Sequence, residues 1–162
     1  MIYVHNFQDS TVGIVGLGSI GTAVMERLIP FGVKRIVYSG RTKKDVKSSV
    51  DVDFVEFEEL LRQSDFVIVT CSYYPELKHM FNKVTLSIMT GDVRFVIQDA
   101  FEKMKKSAVL INTSRGGIVN QDDLVSALTS GTILAAGLDV MTPEPFPPDH
   151  PLTKVGASEL TD

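Results

Sequence analysis

Residues 12–21 read VGIVGLGSIG, and this stretch decides how the rest of the sequence is interpreted. Its first half is short and continuously apolar, which is typical of a buried β-strand, and the residues after it carry apolar side chains at helical spacing. Gly16, Gly18 and Gly21 lie at the junction and match G-x-G-x-x-G between a strand and a helix. The stretch therefore predicts a turn that binds the pyrophosphate of a dinucleotide at a helix N-terminus. A glycine-rich turn of another α/β fold is the alternative.

The three glycines have separate predicted tasks. Gly16 permits the tight turn after the strand, and Gly18 lets a pyrophosphate approach the backbone. Gly21 lets the helix pack closely on the strand.

Strand-like runs alternate with helical runs along the whole chain. Because the strands are apolar on both sides, they predict a parallel sheet covered by helices. Together with the glycine turn, this indicates an α/β fold: a Rossmann-type, doubly wound, mostly parallel sheet in a single dinucleotide-binding domain. The predicted strands are 11–16, 35–39, 53–57, 65–70, 108–112 and 133–140, and the predicted helices are 19–31, 58–63, 98–107 and 120–131.

Composition excludes several classes of function. The net charge is −4 and the basic residues are scattered, whereas a nucleic-acid site needs a basic face. Cys71 is the only cysteine, so the chain can form no internal disulfide and no cysteine-rich metal site, and we predict no metal. The first ten residues do not resemble a secretory signal, and no apolar run approaches the roughly 20 residues that span a bilayer. We expect a cytoplasmic protein.

The end of the second strand predicts which dinucleotide binds. NAD sites carry an Asp or Glu there to hold the ribose 2′-hydroxyl, but Ser39, Gly40, Arg41 and Thr42 stand at this point and no carboxylate follows until Asp45. A guanidinium and hydroxyls suit a 2′-phosphate, which favours NADP(H) over NAD(H). An ordinary solvated turn is the alternative. The missing acid also disfavours an S-adenosylmethionine site.

Three motifs in order carry a family resemblance. They are VGIVGLGSIG, INTSRGGIVNQDDLVSAL at 111–128 and AAGLDVMTPEP at 135–145. The chain resembles the D-isomer-specific 2-hydroxyacid dehydrogenases, and among them the glyoxylate/hydroxypyruvate reductases, over about residues 10–152. This implies NADPH-dependent reduction of a small 2-oxo acid, and a homodimer that meets through this domain. The loop at 72–79 departs from the family, with Tyr74 and Leu77 where threonines are usual.

The resemblance also implies residue roles. Arg115 would bind the substrate carboxylate and carbonyl, and Glu144 would orient the acid–base histidine and raise its pKa. Asp139 would face the nicotinamide. A surface ion pair for Arg115, an exposed loop acid for Glu144 and a strand-end cap for Asp139 are the alternatives. The remaining implied contacts are those of the cofactor groove, Ser72 and Thr113, and those of the pyrophosphate, Ser19, Ile20 and Gly21.

The histidines do not follow the family pattern. Family members carry the proton donor in a Pro-His-Ile-Gly-like motif, and His5, His79 and His150 all lie outside such a motif. Residues 1–10 and 153–162 do not resemble the family, so we assign the domain to 11–152. An active reductase and a nucleotide-binding module or splice fragment without turnover both remain open.

One segment, 84–98, interrupts the resemblance. It reads VTLSIMTGDVRFVIQ and has strand-like ends around a Thr-Gly-Asp turn, which predicts a small hairpin. Valine codons begin with GT and a glutamine codon can be CAG, so Val84 and Gln98 are also compatible with an intron read in frame. Val155, after Lys154, repeats this pattern. The genomic sequence at these positions tests that hypothesis.

Overall fold

The structure is a computed structural model that describes residues 6–82, 86–90, 93–97 and 99–155. Within these residues the chain forms eight strands and four α-helices. The strands are β1 (Thr11–Val15), β2 (Arg35–Ser39), β3 (Asp51–Phe54), β4 (Phe66–Val69), β5 (Leu86–Thr90), β6 (Val93–Ile97), β7 (Val109–Asn112) and β8 (Ala135–Leu138). The helices are α1 (Ser19–Leu28), α2 (Phe57–Gln63), α3 (Ala100–Lys103) and α4 (Gln121–Thr129). No described helix has the length and apolarity needed to cross a bilayer.

Six strands form one parallel sheet in the order β3-β2-β1-β4-β7-β8. The chain enters the sheet at β1, proceeds outward to β3, and crosses back to β4. The direction of strand addition therefore reverses between β1 and β4, and at such a point the flanking loops leave a crevice at the carboxyl ends of the strands. The predicted doubly wound, Rossmann-type α/β fold is confirmed.

The central strands alternate their side chains between two apolar layers. On one face, Ile14 and Ile68 share a buried cluster with Met25 of α1. On the other face, Val67 packs in a cluster that includes Leu124 of α4. Because both faces are covered by helices, the central strands are apolar throughout, which is why their sequences predicted them well.

Several element boundaries differ from the prediction. The third strand was placed at 53–57, but β3 begins at Asp51. The helix predicted over 98–107 is wrong in length, because the backbone is extended at Met104 and α3 ends at Lys103. The helix from Ser19 ends at Leu28 and continues only as a 3₁₀ turn. Asn120, the first residue of the helix predicted over 120–131, is the N-cap of α4, since its side chain accepts the N–H groups of Asp122 and Asp123.

The interrupting segment forms a hairpin beside the main sheet. Strands β5 and β6 pair antiparallel with each other in a separate two-stranded sheet, which confirms the predicted hairpin. The predicted turn residues Gly91 and Asp92, and the segment ends Val84 and Gln98, lie outside the described residues.

The chain leaves the core and returns to it at one point. Phe81 and Asn82 are buried before the hairpin, and Ala100 and Phe101 are buried after it. The Ala100 N–H donates to the Asn82 carbonyl oxygen at 3.2 Å. The hairpin is therefore an excursion whose two ends are already joined at its base.

Deleting residues 84–98 should leave the main domain intact. We expect the free energy of unfolding to change by no more than about 1 kcal/mol, because shortening a surface excursion changes loop entropy only slightly. Urea denaturation of the parent and deleted chains measures this. A deleted chain that fails to fold, or loses several kcal/mol, would show that the hairpin is part of the core.

Candidate dinucleotide-binding site

A cavity of about 460 Å³ opens at the carboxyl ends of β1, β2 and β4, at the switch point of the sheet. Its walls come from the turn after β1, the loop after β2 and the segment after β4. The lining residues are Val15, Gly16, Leu17, Gly18, Tyr38, Ser39, Gly40, Arg41, Thr42, Lys44, Phe57, Thr70, Cys71, Ser72, Tyr74, Glu76, Leu77 and Met80.

The glycine turn is fixed by contacts to both neighbouring strands. Gly16 has a φ of 97°, a conformation that disfavours side chains. Its N–H donates to the Ser39 carbonyl oxygen at 2.9 Å, and its own carbonyl oxygen accepts the Thr70 hydroxyl at 2.8 Å. A Cβ on Gly16 would lie 2.6 Å from the Cα of Cys71. The backbone conformation of the turn is therefore fixed by these contacts, and it requires glycine at position 16.

Helix α1 begins with its free N–H groups at this turn. Gly18 is the N-cap, and the Thr22 N–H donates to its carbonyl oxygen at 2.9 Å. The N–H groups of Ser19, Ile20 and Gly21 precede the first intrahelical bond, so no carbonyl of the helix accepts them. The first turn carries no acidic side chain, and a Cβ on Gly18 would meet nothing within 4 Å. The N-terminus of α1 therefore offers both the space and the positive end of the helix dipole that favour a bound phosphate.

The loop after β2 supplies the cations of the cavity. Arg41 and Lys44 line it, and the guanidinium carbon of Arg41 lies 5.2 Å from the ring centroid of Tyr74. Among the lining residues, Glu76 carries the one carboxylate, and it belongs to the segment after β4 rather than to the end of β2. Lys43 does not line the cavity.

The single cysteine lies in the cavity wall and is held neutral. Burial raises the pKa of the Cys71 thiol to about 11, an effect that hydrogen bonds from its own backbone and from Ser114 only partly offset. The Ser114 hydroxyl also donates to the Cys71 carbonyl oxygen. A neutral, partly buried thiol is a poor nucleophile and acts as packing.

The remaining predicted site residues follow the ends of β7 and β8, outside the cavity. Thr113 is exposed and its N–H donates to the Val69 carbonyl oxygen at 3.3 Å. The Asp139 N–H donates to the main-chain carbonyl oxygen of Asn112 at 3.1 Å, which places Asp139 next to the end of β7. Arg115 and Glu144 are exposed on the loops that continue from these strands.

The two loops are packed and anchored together. A Cβ on Gly116 would lie 2.3 Å from the carbonyl carbon of Met141, so the loops touch through their backbones. Gln121, at the start of α4, makes two hydrogen bonds to the backbone of Thr142. Its Oε1 accepts the Thr142 N–H at 2.9 Å, and its Nε2 donates to the Thr142 carbonyl oxygen. Arg115 donates to the Ser114 carbonyl at 2.8 Å and contacts no carboxylate within the described residues.

The cavity thus gathers only part of the predicted set. Those that line it are Gly16, Gly18, Ser39, Gly40, Arg41, Thr42 and Ser72; those that do not are Ser19, Ile20, Gly21, Thr113, Arg115, Asp139 and Glu144. Thr70, Lys44, Tyr74 and Gln121 were missed. Thr70 directly follows a buried strand, a position that could have indicated it. The departure from the family marks Tyr74 as unusual, but the contacts of Tyr74 and Gln121 join distant segments, and no sequence pattern indicates those contacts.

Comparison with known proteins agrees with this geometry. The sequence profile of the D-isomer-specific 2-hydroxyacid dehydrogenase NAD-binding domain matches residues 1–98 and 93–161. The chain belongs to the D-isomer-specific 2-hydroxyacid dehydrogenase family. It is the NAD-binding domain of that family. The two matched segments meet in β6, within the hairpin.

Individual proteins of known sequence or structure also resemble this chain. The glyoxylate reductase/hydroxypyruvate reductase of Homo sapiens is 48% identical over 149 residues, which is 91% of this chain and 41% of that protein. NAD-dependent formate dehydrogenase from Staphylococcus aureus in complex with NAD aligns with a TM-score of 0.78 at 35% identity, covering 94% of this chain and 41% of that one. An acyclic imino acid reductase in complex with NADPH and D-Arg aligns at 0.76 and 26% identity, covering 94% and 43%. The chain spans about two fifths of these relatives.

Two glycine variants separate the demands of folding from those of binding. An alanine at Gly21 would place its Cβ 2.3 Å from the Gly16 carbonyl oxygen, so we expect a loss of about 2 kcal/mol of stability or more. Gly18→Ala should cost less than about 1 kcal/mol, the N-cap preference alone, yet weaken NADPH binding about 10-fold or more. Thermal unfolding and fluorescence titration measure both. Equal stability of the two variants would contradict this account.

The Cys71 thiol should resist alkylation. Raising its pKa from 9.0 to about 11 lowers the thiolate fraction roughly 100-fold at pH 8. We expect iodoacetamide to modify the folded chain correspondingly more slowly than the urea-unfolded chain, with the folded rate rising about tenfold per pH unit until the pH reaches the pKa. A folded rate that levels off near pH 9 would refute the raised pKa.

Proposed function

We propose that this chain is the NADP(H)-preferring dinucleotide domain of a reductase of the glyoxylate/hydroxypyruvate type. The end of β2 carries the cofactor choice: Ser39, Arg41 and Thr42 line the cavity where an NAD site would place a carboxylate. Lys44 adds a second positive charge to the same wall. A guanidinium fork and hydroxyls match a phosphate dianion, which strengthens binding of the phosphorylated ribose over the free one. One structural neighbour is a complex with NAD and another a complex with NADPH, so the proposed preference rests on the residues of this loop.

The proposed reaction is the reduction of a small 2-oxo acid to the 2-hydroxy acid. NADPH held by the glycine turn and by the loop after β2 would supply the hydride for this reduction. Arg115 would bind the substrate carboxylate and polarise the carbonyl, and Glu144 would orient the histidine that gives its proton to the carbonyl oxygen. The 48% identity to the human glyoxylate reductase/hydroxypyruvate reductase supports this substrate class.

We expect this chain to bind the dinucleotide but to catalyse the reduction only weakly. His5, His79 and His150 lie outside a Pro-His-Ile-Gly-like motif, so none is assigned as proton donor. Because general acid catalysis contributes about 100-fold or more, we expect hydroxypyruvate turnover by the 162 residues to fall at least that far below a full-length relative. Comparable turnover would reject this expectation and assign the donor within the chain.

The proposed assembly follows from the family resemblance, and the proposed location follows from the composition of the chain. We propose a homodimer that meets through this domain, and a cytoplasmic location that suits a chain with one unpaired cysteine. Sedimentation and cell fractionation test the two separately.

The cofactor assignment is tested by two matched variants. We expect NADPH to bind at least about 10-fold more tightly than NADH, and Arg41→Ala to remove most of that difference because the 2′-phosphate loses its guanidinium. Lys43→Ala is the control, since Lys43 is an exposed neighbouring cation outside the cavity. Titration calorimetry provides the dissociation constants. Tighter NADH binding would refute the assignment and point to Glu76 as the ribose acceptor.

A further inference from the structure

We propose that Tyr38 and Tyr74 are positioning residues for dinucleotide selection, because together they hold the basic loop, residues 40–44, in the shape that receives a 2′-phosphate. The inference rests on the proposed preference for NADP(H) and names the residues that create it. Tyr38 is the penultimate residue of β2 and Tyr74 lies in the segment after β4, and both line the cavity together with Arg41 and Lys44.

Tyr38 closes the basic loop onto the strand that it leaves. Tyr38 is 1% exposed, and its ring packs against Phe54 with centroids 5.3 Å apart and ring planes tilted by 56°, so the hydroxyl has a fixed position. That hydroxyl accepts the Lys44 N–H at 2.7 Å and donates to the Lys44 carbonyl oxygen at 3.2 Å. One side chain thus uses both its donor and its acceptor on a single residue, and it fixes the far end of the loop.

Tyr74 holds the side chain at the near end of the loop. The Arg41 guanidinium lies over its ring at 5.2 Å, and Arg41 contacts no carboxylate among the described residues. A ring face attracts the plane of a guanidinium while leaving the N–H edge free to donate. The ring is 41% exposed, and the contact crosses from the segment after β4 to the loop after β2. It therefore directs a donor-rich edge without using up its donors.

The basic loop has little else to order it. Residues 41–45 are exposed, and Gly40 adds backbone freedom at its start. An unrestrained loop would lose conformational entropy on closing around a phosphate, and that cost would weaken binding. With both tyrosines in place the loop loses this conformational entropy when the chain folds rather than when the ligand binds. The 2′-phosphate therefore meets charges that are already oriented. A ribose 2′-hydroxyl gains almost nothing from the same order.

The test uses adenosine 2′,5′-bisphosphate and 5′-AMP, which differ only in the 2′-phosphate. We expect Tyr38→Phe to weaken the bisphosphate about fivefold and Tyr74→Leu about threefold, with less than about twofold change for 5′-AMP. Tyr73→Leu is the matched control: Tyr73 is equally exposed, but its ring lies against Gly117, where an added Cβ would be 3.4 Å from the hydroxyl oxygen. Calorimetry on the 162-residue chain measures all four proteins, with thermal unfolding as a check on folding.

The outcomes separate this inference from the proposed function. Equal losses for both nucleotides would assign the tyrosines a structural role only and overturn the inference, as would unchanged selectivity in both variants. If Tyr38→Phe does not fold, the Tyr74→Leu result decides. A parent chain that binds 5′-AMP as tightly as the bisphosphate would instead refute the NADP(H) preference itself.

Discussion

The strands that frame the cavity are joined at one residue, Gly16. Its N–H donates to the carbonyl oxygen of Ser39 at the end of β2, and its carbonyl oxygen accepts the hydroxyl of Thr70, which follows β4. Its φ of 97° turns the chain toward α1. A side chain there would collide with the backbone of Cys71. The positions of the three strand ends are therefore coupled. Because α1 starts three residues later, at Ser19, the same turn sets the direction in which its N–H groups point.

The parts of the fold predictable from sequence are those in which local pattern and tertiary burial agree. Strands β1, β2 and β4 are apolar on both faces, so a continuous apolar run indicated each one. Strand β3 lies at the sheet edge with alternating exposure, and its start was misplaced by two residues. Helix α3 was overpredicted because its residues favour a helix, while the chain must extend at Met104 to enter β7.

The cavity shows the same division between local and distant signals. Spacing alone indicates Gly16, Gly18 and the residues that follow β2, because a parallel sheet brings strand ends to one edge. Spacing does not indicate that Tyr74 would face Arg41, since 33 residues separate them and the contact depends on how two loops leave the sheet. The family resemblance marks Tyr74 as unusual at its position, but only the structure relates it to the cation of the preceding loop.

The domain accepts additional residues at the hairpin, but it holds the backbone tightly in the loops after β7 and β8, which carry Arg115 and Glu144. The hairpin leaves and re-enters at a point closed by the Asn82–Ala100 bond, so additional chain there does not disturb the sheet. The loops after β7 and β8 have no such freedom: Gly116 touches Met141, and Gln121 holds Thr142 by both its N–H and its carbonyl. Arg115 and Glu144 lie within two residues of those contacts. A backbone held this closely is what the roles proposed for Arg115 and Glu144 would require, because displacements of about 1 Å can cost a large part of a catalytic rate.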